Sequence, residues 1–174
     1  MEILGVRGEE GLRSNDPLMR SKLFLLLLAA GLFVVLASLG LSCASRRAPA
    51  LGVSAGRLLP CPDSPNCVCS QDDPASPSWI EPLELRGDAG DELERLAKLL
   101  EATPRASIVE RGEGYLRAEF TTALLRFVDD VEFLVEAPAG VIHVRSASRV
   151  GHSDLGANRK RIEELRARWL AERR

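Results

Sequence analysis

The sequence predicts an α+β fold: one four-stranded, mostly antiparallel sheet, two helices packed on one face, and a hydrophobic helix at the N-terminal end. Three observations carry it. Strand-like runs at Ala106–Arg111, Tyr115–Thr122, Val128–Glu136 and Val141–Arg149 follow one another in close order. Helix-period segments flank them, one from Asp88 to Ala102 and one from Ser153 or Asp154 toward Arg174. Leu23 to Leu41 is a 19-residue apolar run in which Ser38 is the only ordinary polar side chain.

That first run follows Arg20 and Lys22, as a positively charged leader region should. It is longer than the usual core of a signal peptide, about 7–15 residues, and near the roughly 20 residues that span a bilayer. Leu39-Gly40-Leu41-Ser42-Cys43 resembles a bacterial lipoprotein signal, with Gly40 where Leu is usual. The resemblance implies lipidation of Cys43, which would become the mature N-terminus. An uncleaved anchor and a plainly cleaved signal are the alternatives. Glu2, Glu9, Glu10 and Asp16 are unusual ahead of a leader, so Met19 is a candidate start. Each version places the rest of the chain in the cell envelope, anchored to the membrane and facing the periplasm or the outside, or secreted. The expected division is 1–43 signal or anchor, 44–59 tether, and 60–174 globular domain.

A net charge of -2 gives no general attraction to nucleic acid or to an anionic surface, so no nucleic-acid partner is expected. The basic residues are 20 Arg against 3 Lys, a bias that composition alone can produce. In an oxidising compartment the cysteines at 61, 67 and 69 read as a bridge plus one spare thiol. Cys61–Cys67 is the favoured pair, because Pro62, Asp63, Ser64, Pro65 and Asn66 form a turn-rich loop between them. Cys67 and Cys69 would pair only in a strained ring. Three thiolates binding a soft metal is a further alternative, but no histidine lies nearby, so neither a metal nor a cofactor is expected.

Residues 44–59 are rich in Ala, Ser, Gly and Arg and have no apolar period. Trp79–Leu83 is extended, with Pro82 barring a central strand. In the first amphipathic helix Leu93, Leu96, Leu99 and Leu100 recur at helical spacing, Asp91 and Glu92 occupy the first turn, and Pro104 stops it. Gly112-Glu113 suits a tight primed hairpin, and Ala137-Pro-Ala-Gly140 a four-residue loop.

The second loop fixes a register: Glu136 opposite Val141, Val135 opposite Ile142, Phe133 opposite Val144, Val131 opposite Ser146, Asp129 opposite Ser148. Val131, Phe133, Val135, Ile142 and Val144 then share a buried face. Asp130, Glu132, His143, Arg145 and Arg149 share the other, with Glu132 facing Arg145. A one-residue slip would mix the two sets. In the last helix Leu155, Ile162, Leu165 and Trp169 mark the inner stripe, and Asn158 and Arg159 fall on it one turn in. Polar groups in that position need partners.

Several segments in order now carry a resemblance: Cys61-Pro-Asp-Ser-Pro-Asn-Cys67-Val, Phe120-Thr-Thr, Phe127-Val-Asp-Asp130-Val-Glu-Phe133, and the run from Arg145 to Arg161. Together they resemble the domain of unknown function 1499 family of bacteria and plastids, over roughly Leu59 to Leu170. Cys69 stands where that family usually has Ser. The resemblance implies a small domain, often behind a signal or membrane segment, and implies no substrate.

The candidate ligand-binding residues are Arg145, Ser148, Arg149, Asp154, Asn158 and Arg159. Arginines beside a helix N-terminus make a phosphate or carboxylate pocket. The competing reading is a structural network, with Glu132 on Arg145, and Asp129, Ser148 and Asn158 tying helix to sheet. Asp129 and Asp130 point to opposite faces and cannot act as a dyad. Asp129 is placed to accept from backbone N–H groups or Arg159. His152, Ser153 and Asp154 are too close in sequence for a hydrolase triad. Neither a nucleophile elbow nor a phosphate-cradling glycine loop is present. His143 is expected on an exposed face. Two functions remain: a membrane-tethered module binding a small anionic ligand or envelope protein, or a small envelope enzyme built on Asp129, Arg149, Asp154 and Arg159. A pocket gathering those four groups favours the enzyme; saturation of each by protein partners favours the module.

Overall fold

The computed structural model describes residues 17–172; the acidic residues at positions 2–16 and the last two residues of the helix expected to run toward Arg174 lie outside them. The chain divides into two units, Met1–Ser38 and Leu39–Arg174. The described residues of the first belong to α1 (Pro17–Ser45), an exposed helix long and apolar enough to cross a membrane.

In the second unit the elements run β1 (Val53–Ser54), β2 (Arg57–Leu58), β3 (Cys67–Cys69), β4 (Leu83–Glu84), α2 (Ala89–Glu101), β5 (Ala106–Gly112), β6 (Tyr115–Thr121), β7 (Val128–Glu136), β8 (Val141–Ser148) and α3 (Ala157–Ala171). The four strands read from sequence are β5 to β8, and each pairs antiparallel with the next. The β7–β8 register is the expected one at every pair, from Asp129 opposite Ser148 to Glu136 opposite Val141. Alternation then sorts the side chains by face.

Four strands is nevertheless too few. The sheet has six, in the order β3-β8-β7-β6-β5, with β4 pairing the free length of β8 beside β3. Two- and three-residue strands are too short to show a period, and Cys67-Val-Cys69 reads as loop until Cys67 is set opposite Ala147.

The core lies between one sheet face and the two amphipathic helices. Val131, Phe133, Ile142 and Val144 meet Leu96, Leu99 and Leu100 of α2 and Ile162, Leu165 and Trp169 of α3. Asp88 caps α2, its carboxylate accepting from the backbone N–H of Gly90 and Asp91. Arg95 stacks on Trp169, 4.0 Å from the ring centroid, and joins the two helices across their contact.

Three local expectations are corrected. The β5–β6 turn is Glu113-Gly114 rather than Gly112-Glu113, and of these only Gly114 has a positive φ, so it is not a primed turn. The last helix begins at Ala157, because the chain takes positive φ at Leu155 and Gly156 before the first turn. Leu155 therefore lies ahead of the inner stripe and is 96 % exposed.

Residues 44–59, expected as an irregular tether, contain the β1–β2 hairpin. Ala55 and Gly56 both take positive φ at its turn, as a primed hairpin requires. Leu58 and Ser45 are buried, and the hairpin strand β2 lies against β7 and β8. The face of the sheet that alternation assigns to charges is consequently covered, not solvated. Asp130, Glu132 and Arg145 are all buried.

Candidate functional site

The helix-facing side of β7 and β8 holds a closed polar network. Asn158, fully buried, donates from Nδ2 to the Asn66 carbonyl (2.8 Å), Ser148 Oγ (3.0 Å) and Asp154 Oδ2 (2.8 Å). Its Oδ1 accepts from Ser146 Oγ (2.6 Å) and Arg161 Nη1 (2.5 Å). Asp154 accepts from the backbone N–H of Gly156 (2.9 Å) and Asn158 (2.7 Å), so it satisfies the start of the helix from a position ahead of Ala157. Asp129 is held by Arg161 Nη2 at 2.5 Å, not by Arg159. Arg161 thus plays a part that sequence reading left to its neighbour; a helix position two residues further on points to a different side of α3.

The opposite face carries a second network. Glu132 accepts from Tyr115 Oη (2.8 Å) and the Gly52 backbone N–H (3.0 Å) on one oxygen, and from Arg145 Nη1 (3.1 Å) on the other. Arg149 donates from Nε and Nη2 to both oxygens of Asp130 (2.6 and 2.7 Å), from Nη2 to Glu119, and from Nη1 to the Ser45 carbonyl (3.1 Å). The hydrogen bond to Asp130 holds the Arg149 guanidinium even more firmly charged than usual. His143 lies between Ser70 Oγ (3.1 Å) and Glu136 Oε2 (2.6 Å) and is half-buried, not exposed as expected. Arg145 Nε finds no partner among the described residues.

The arginines therefore do not gather at the start of α3. Arg145 and Arg149 occupy the sheet face away from that helix, and Arg159 lies on its exposed side. Nor do Asp129, Arg149, Asp154 and Arg159 meet: the first two project from opposite faces of the sheet and already have fixed partners. The strand alternation that assigned Arg145 and Arg149 to one face also separates them from α3.

One cleft does collect candidates. Its volume is about 510 Å³, and Asp154, Gly156 and Arg159 line it together with Asp72, Ser78 and the Cys61–Cys67 disulfide. The disulfide was the expected pairing, with Cα atoms 5.6 Å apart. Arg159 reaches over the cleft through Nη2, which donates to the carbonyls of Pro77 and Trp79 (both 2.7 Å). Asp72 is tied to Ser78 Oγ (2.5 Å), and Ser78 to Ser76 (2.7 Å). The 72–78 segment was missed from sequence, since its serines and aspartates carry no motif. The remaining thiol, Cys69, is fully buried, and burial raises its pKa, so it is an inert neighbour of the bridge. Among the described residues no group of three or more His, Cys, Asp or Glu is placed to hold a metal.

The family described as protein of unknown function (DUF1499) matches residues 57–169. No curated protein and no solved structure matches the chain. Because the match spans well over half of its length, the chain belongs to the DUF1499 family.

Proposed function

As the reading of this DUF1499 chain, we propose a membrane-tethered extracytoplasmic binding module whose ligand enters the cleft at Arg159 and Asp154. The observation that carries it is the state of Arg159. One nitrogen is pinned by two carbonyls, which fixes the guanidinium, while Nε and Nη1 have no acceptor among the described residues. A fixed cation with free donors is suited to a carboxylate or phosphate. Asp63, Asp72, Asp73 and Asp154 also line the cleft, so a bare anion would be repelled there. The ligand is therefore a small dipolar molecule, with an anionic group for Arg159 and hydroxyl or ammonium donors for the carboxylates.

Binding is favoured over catalysis because the groups suited to proton transfer are already engaged. Asp129 is held by Arg161, Arg149 by two carboxylates, and Asp154 by the start of α3. A general base needs a free lone pair within reach of substrate. Extracytoplasmic placement is supported by the apolar helix together with the disulfide.

The test is a calorimetric titration of the full chain in detergent with free amino acids and with phosphate esters of amino alcohols. Binding that is lost in Arg159→Ala and retained in Arg145→Lys supports the reading; failure of every dipolar probe to bind at millimolar concentration removes it. The tether is tested separately by mass spectrometry of the membrane-extracted protein. A lipidated N-terminal Cys43 or an intact Leu23–Leu41 run supports it, and a chain found soluble without either removes it.

A further inference from the structure

Among the described residues outside the apolar helix, the two most exposed large hydrophobic side chains are Leu124, 87 % exposed, and Leu155, 96 % exposed. Leu124 lies with Leu125 in the loop between β6 and β7, and Leu155 in the loop between β8 and α3. These loops emerge at the same end of the sheet, since Thr121 pairs with Val128 and Asp129 with Ser148. Isolated leucines on a surface are ordinary, but three on the loops of one end of the sheet, two of them almost fully exposed, call for a physical account.

The same end holds the beginning of the tether. Arg149, just past β8, donates to the carbonyl of Ser45, and Ser45 is buried. Cys43, two residues earlier, and the close of the apolar run at Leu41 must therefore lie nearby, because each residue adds at most about 3.6 Å. Whether the anchor is a lipid on Cys43 or the apolar run itself, chain connectivity keeps this end of the domain close to the bilayer.

Exposed basic side chains on the segments that meet at this end are Arg46, Arg47, Arg105 and Arg126; the acids there, exposed Asp63 and Asp73 and half-buried Asp72 and Asp154, are collected in the Arg159 cleft. Arg105 belongs here because its carbonyl accepts from the Thr121 N–H. A second cleft of about 490 Å³ opens between the Thr121–Ala123 backbone and α3. Arg105, Lys160, Arg161 and Arg168 line it, with Glu164 as the one acid.

We propose that the end of the sheet bearing Leu124, Leu125 and Leu155 rests on the membrane surface beside the anchor, with the leucines entering the bilayer interface and the arginines meeting acidic phospholipid headgroups. Leucines reaching the boundary of headgroups and acyl chains lose water, and the guanidinium groups above them pair with phosphate. This inference rests on the membrane tether proposed above, and it makes the tether short and the domain oriented.

The test uses the full chain reconstituted in phosphatidylglycerol vesicles containing brominated phospholipid. Single variants Leu124→Trp, Leu155→Trp and, at the opposite end of the sheet, Ala139→Trp are compared with the unsubstituted chain, whose Trp79 and Trp169 set the background. The expected result is blue-shifted emission and bromine quenching at positions 124 and 155 and none above background at 139. Water-like, unquenched emission at either leucine position, or equal quenching at 139, overturns the inference. Flotation separates the two failures: vesicles that carry the protein without quenching leave the tether standing, whereas protein that does not float loses the tether and this docking face together. All three positions are exposed, and intact Cys61–Cys67 with native circular dichroism identifies folded variants.

Discussion

Tyr115 donates its phenolic hydrogen to Glu132 Oε1 at 2.8 Å, with both side chains buried in the charged face of the sheet. Burial, with the adjacent carboxylate, pushes the phenol pKa far above its ordinary value. The neutral phenol is therefore favoured by the fold.

The pH consequence follows in sign. Above about pH 10 an unfolded tyrosine loses its proton while the folded one keeps it, so the native state binds more protons and stability falls as pH rises. Below that pH the contribution is fully present. Tyr115 is the chain's single tyrosine, so absorbance near 295 nm reports it alone. The phenolate signal should appear only together with loss of the folded circular dichroism. Ionisation near pH 10 with the fold intact would contradict the burial of this pair.

Asn158 is the junction of the other network, joining α3 to Asn66 ahead of β3 and to Ser146 and Ser148 of β8. Asn158→Ala removes both its donors and its acceptor from a site without water access, at a cost of about 2–3 kcal/mol. Asn158→Asp should be worse at neutral pH, since it sets a carboxylate against Asp154 and the Asn66 carbonyl. Urea unfolding of both variants gives the order directly, and equal midpoints to the parent chain would remove Asn158 from its structural role.

Arg149 neutralises Asp130, whose side chain is only 2 % exposed, and also binds Glu119 and the Ser45 carbonyl. Arg149→Ala leaves Asp130 with the longer Arg117 contact of 3.4 Å, and should cost about 3–5 kcal/mol by stranding a buried charge. Arg149→Lys should recover only part of that, because an ammonium cannot span both Asp130 oxygens and the carbonyl at once. Thermal unfolding of the three forms tests the ranking.

What sequence made legible in this molecule was whatever repeats. Alternation over nine residues of β7 fixed its partner, register and faces, and leucine spacing fixed α2. Alternation cannot say what lies above a face. It put Glu132 opposite Arg145 correctly, yet the cover supplied by Gly52 and β2 comes from a segment with no period, so an exposed surface was expected where the structure has a buried one. The arginine site failed for a related reason. Proximity of Arg145, Arg149 and Arg159 in sequence crosses a strand end, a turn and a helix start, and each of these redirects the side chains. Asp154 and Arg159, both singled out from sequence, line one cleft, but their neighbours there at 72–78 come from a loop without a recognisable pattern.

The cysteines give the last prediction. Cys69 is fully buried with its pKa raised by burial, whereas Cys43 is exposed. Native protein treated with maleimide should take one adduct, at Cys43, if that thiol is unmodified, and none if it carries lipid; Cys69 should react only after denaturation. Reduction of Cys61–Cys67 opens a six-residue separation and should lower stability by about 2 kcal/mol on the chain-entropy account. The released Cys67 lies two residues from Cys69 on the same side of β3, with Ala147 and Arg145 opposite them. Intact-mass analysis after native labelling, with and without reductant, separates Cys43 and Cys69 from the pair that reduction releases. Rapid native labelling of Cys69 would show that the covering segment opens readily, and would place the Glu132 network among the mobile parts of the domain rather than in its rigid core.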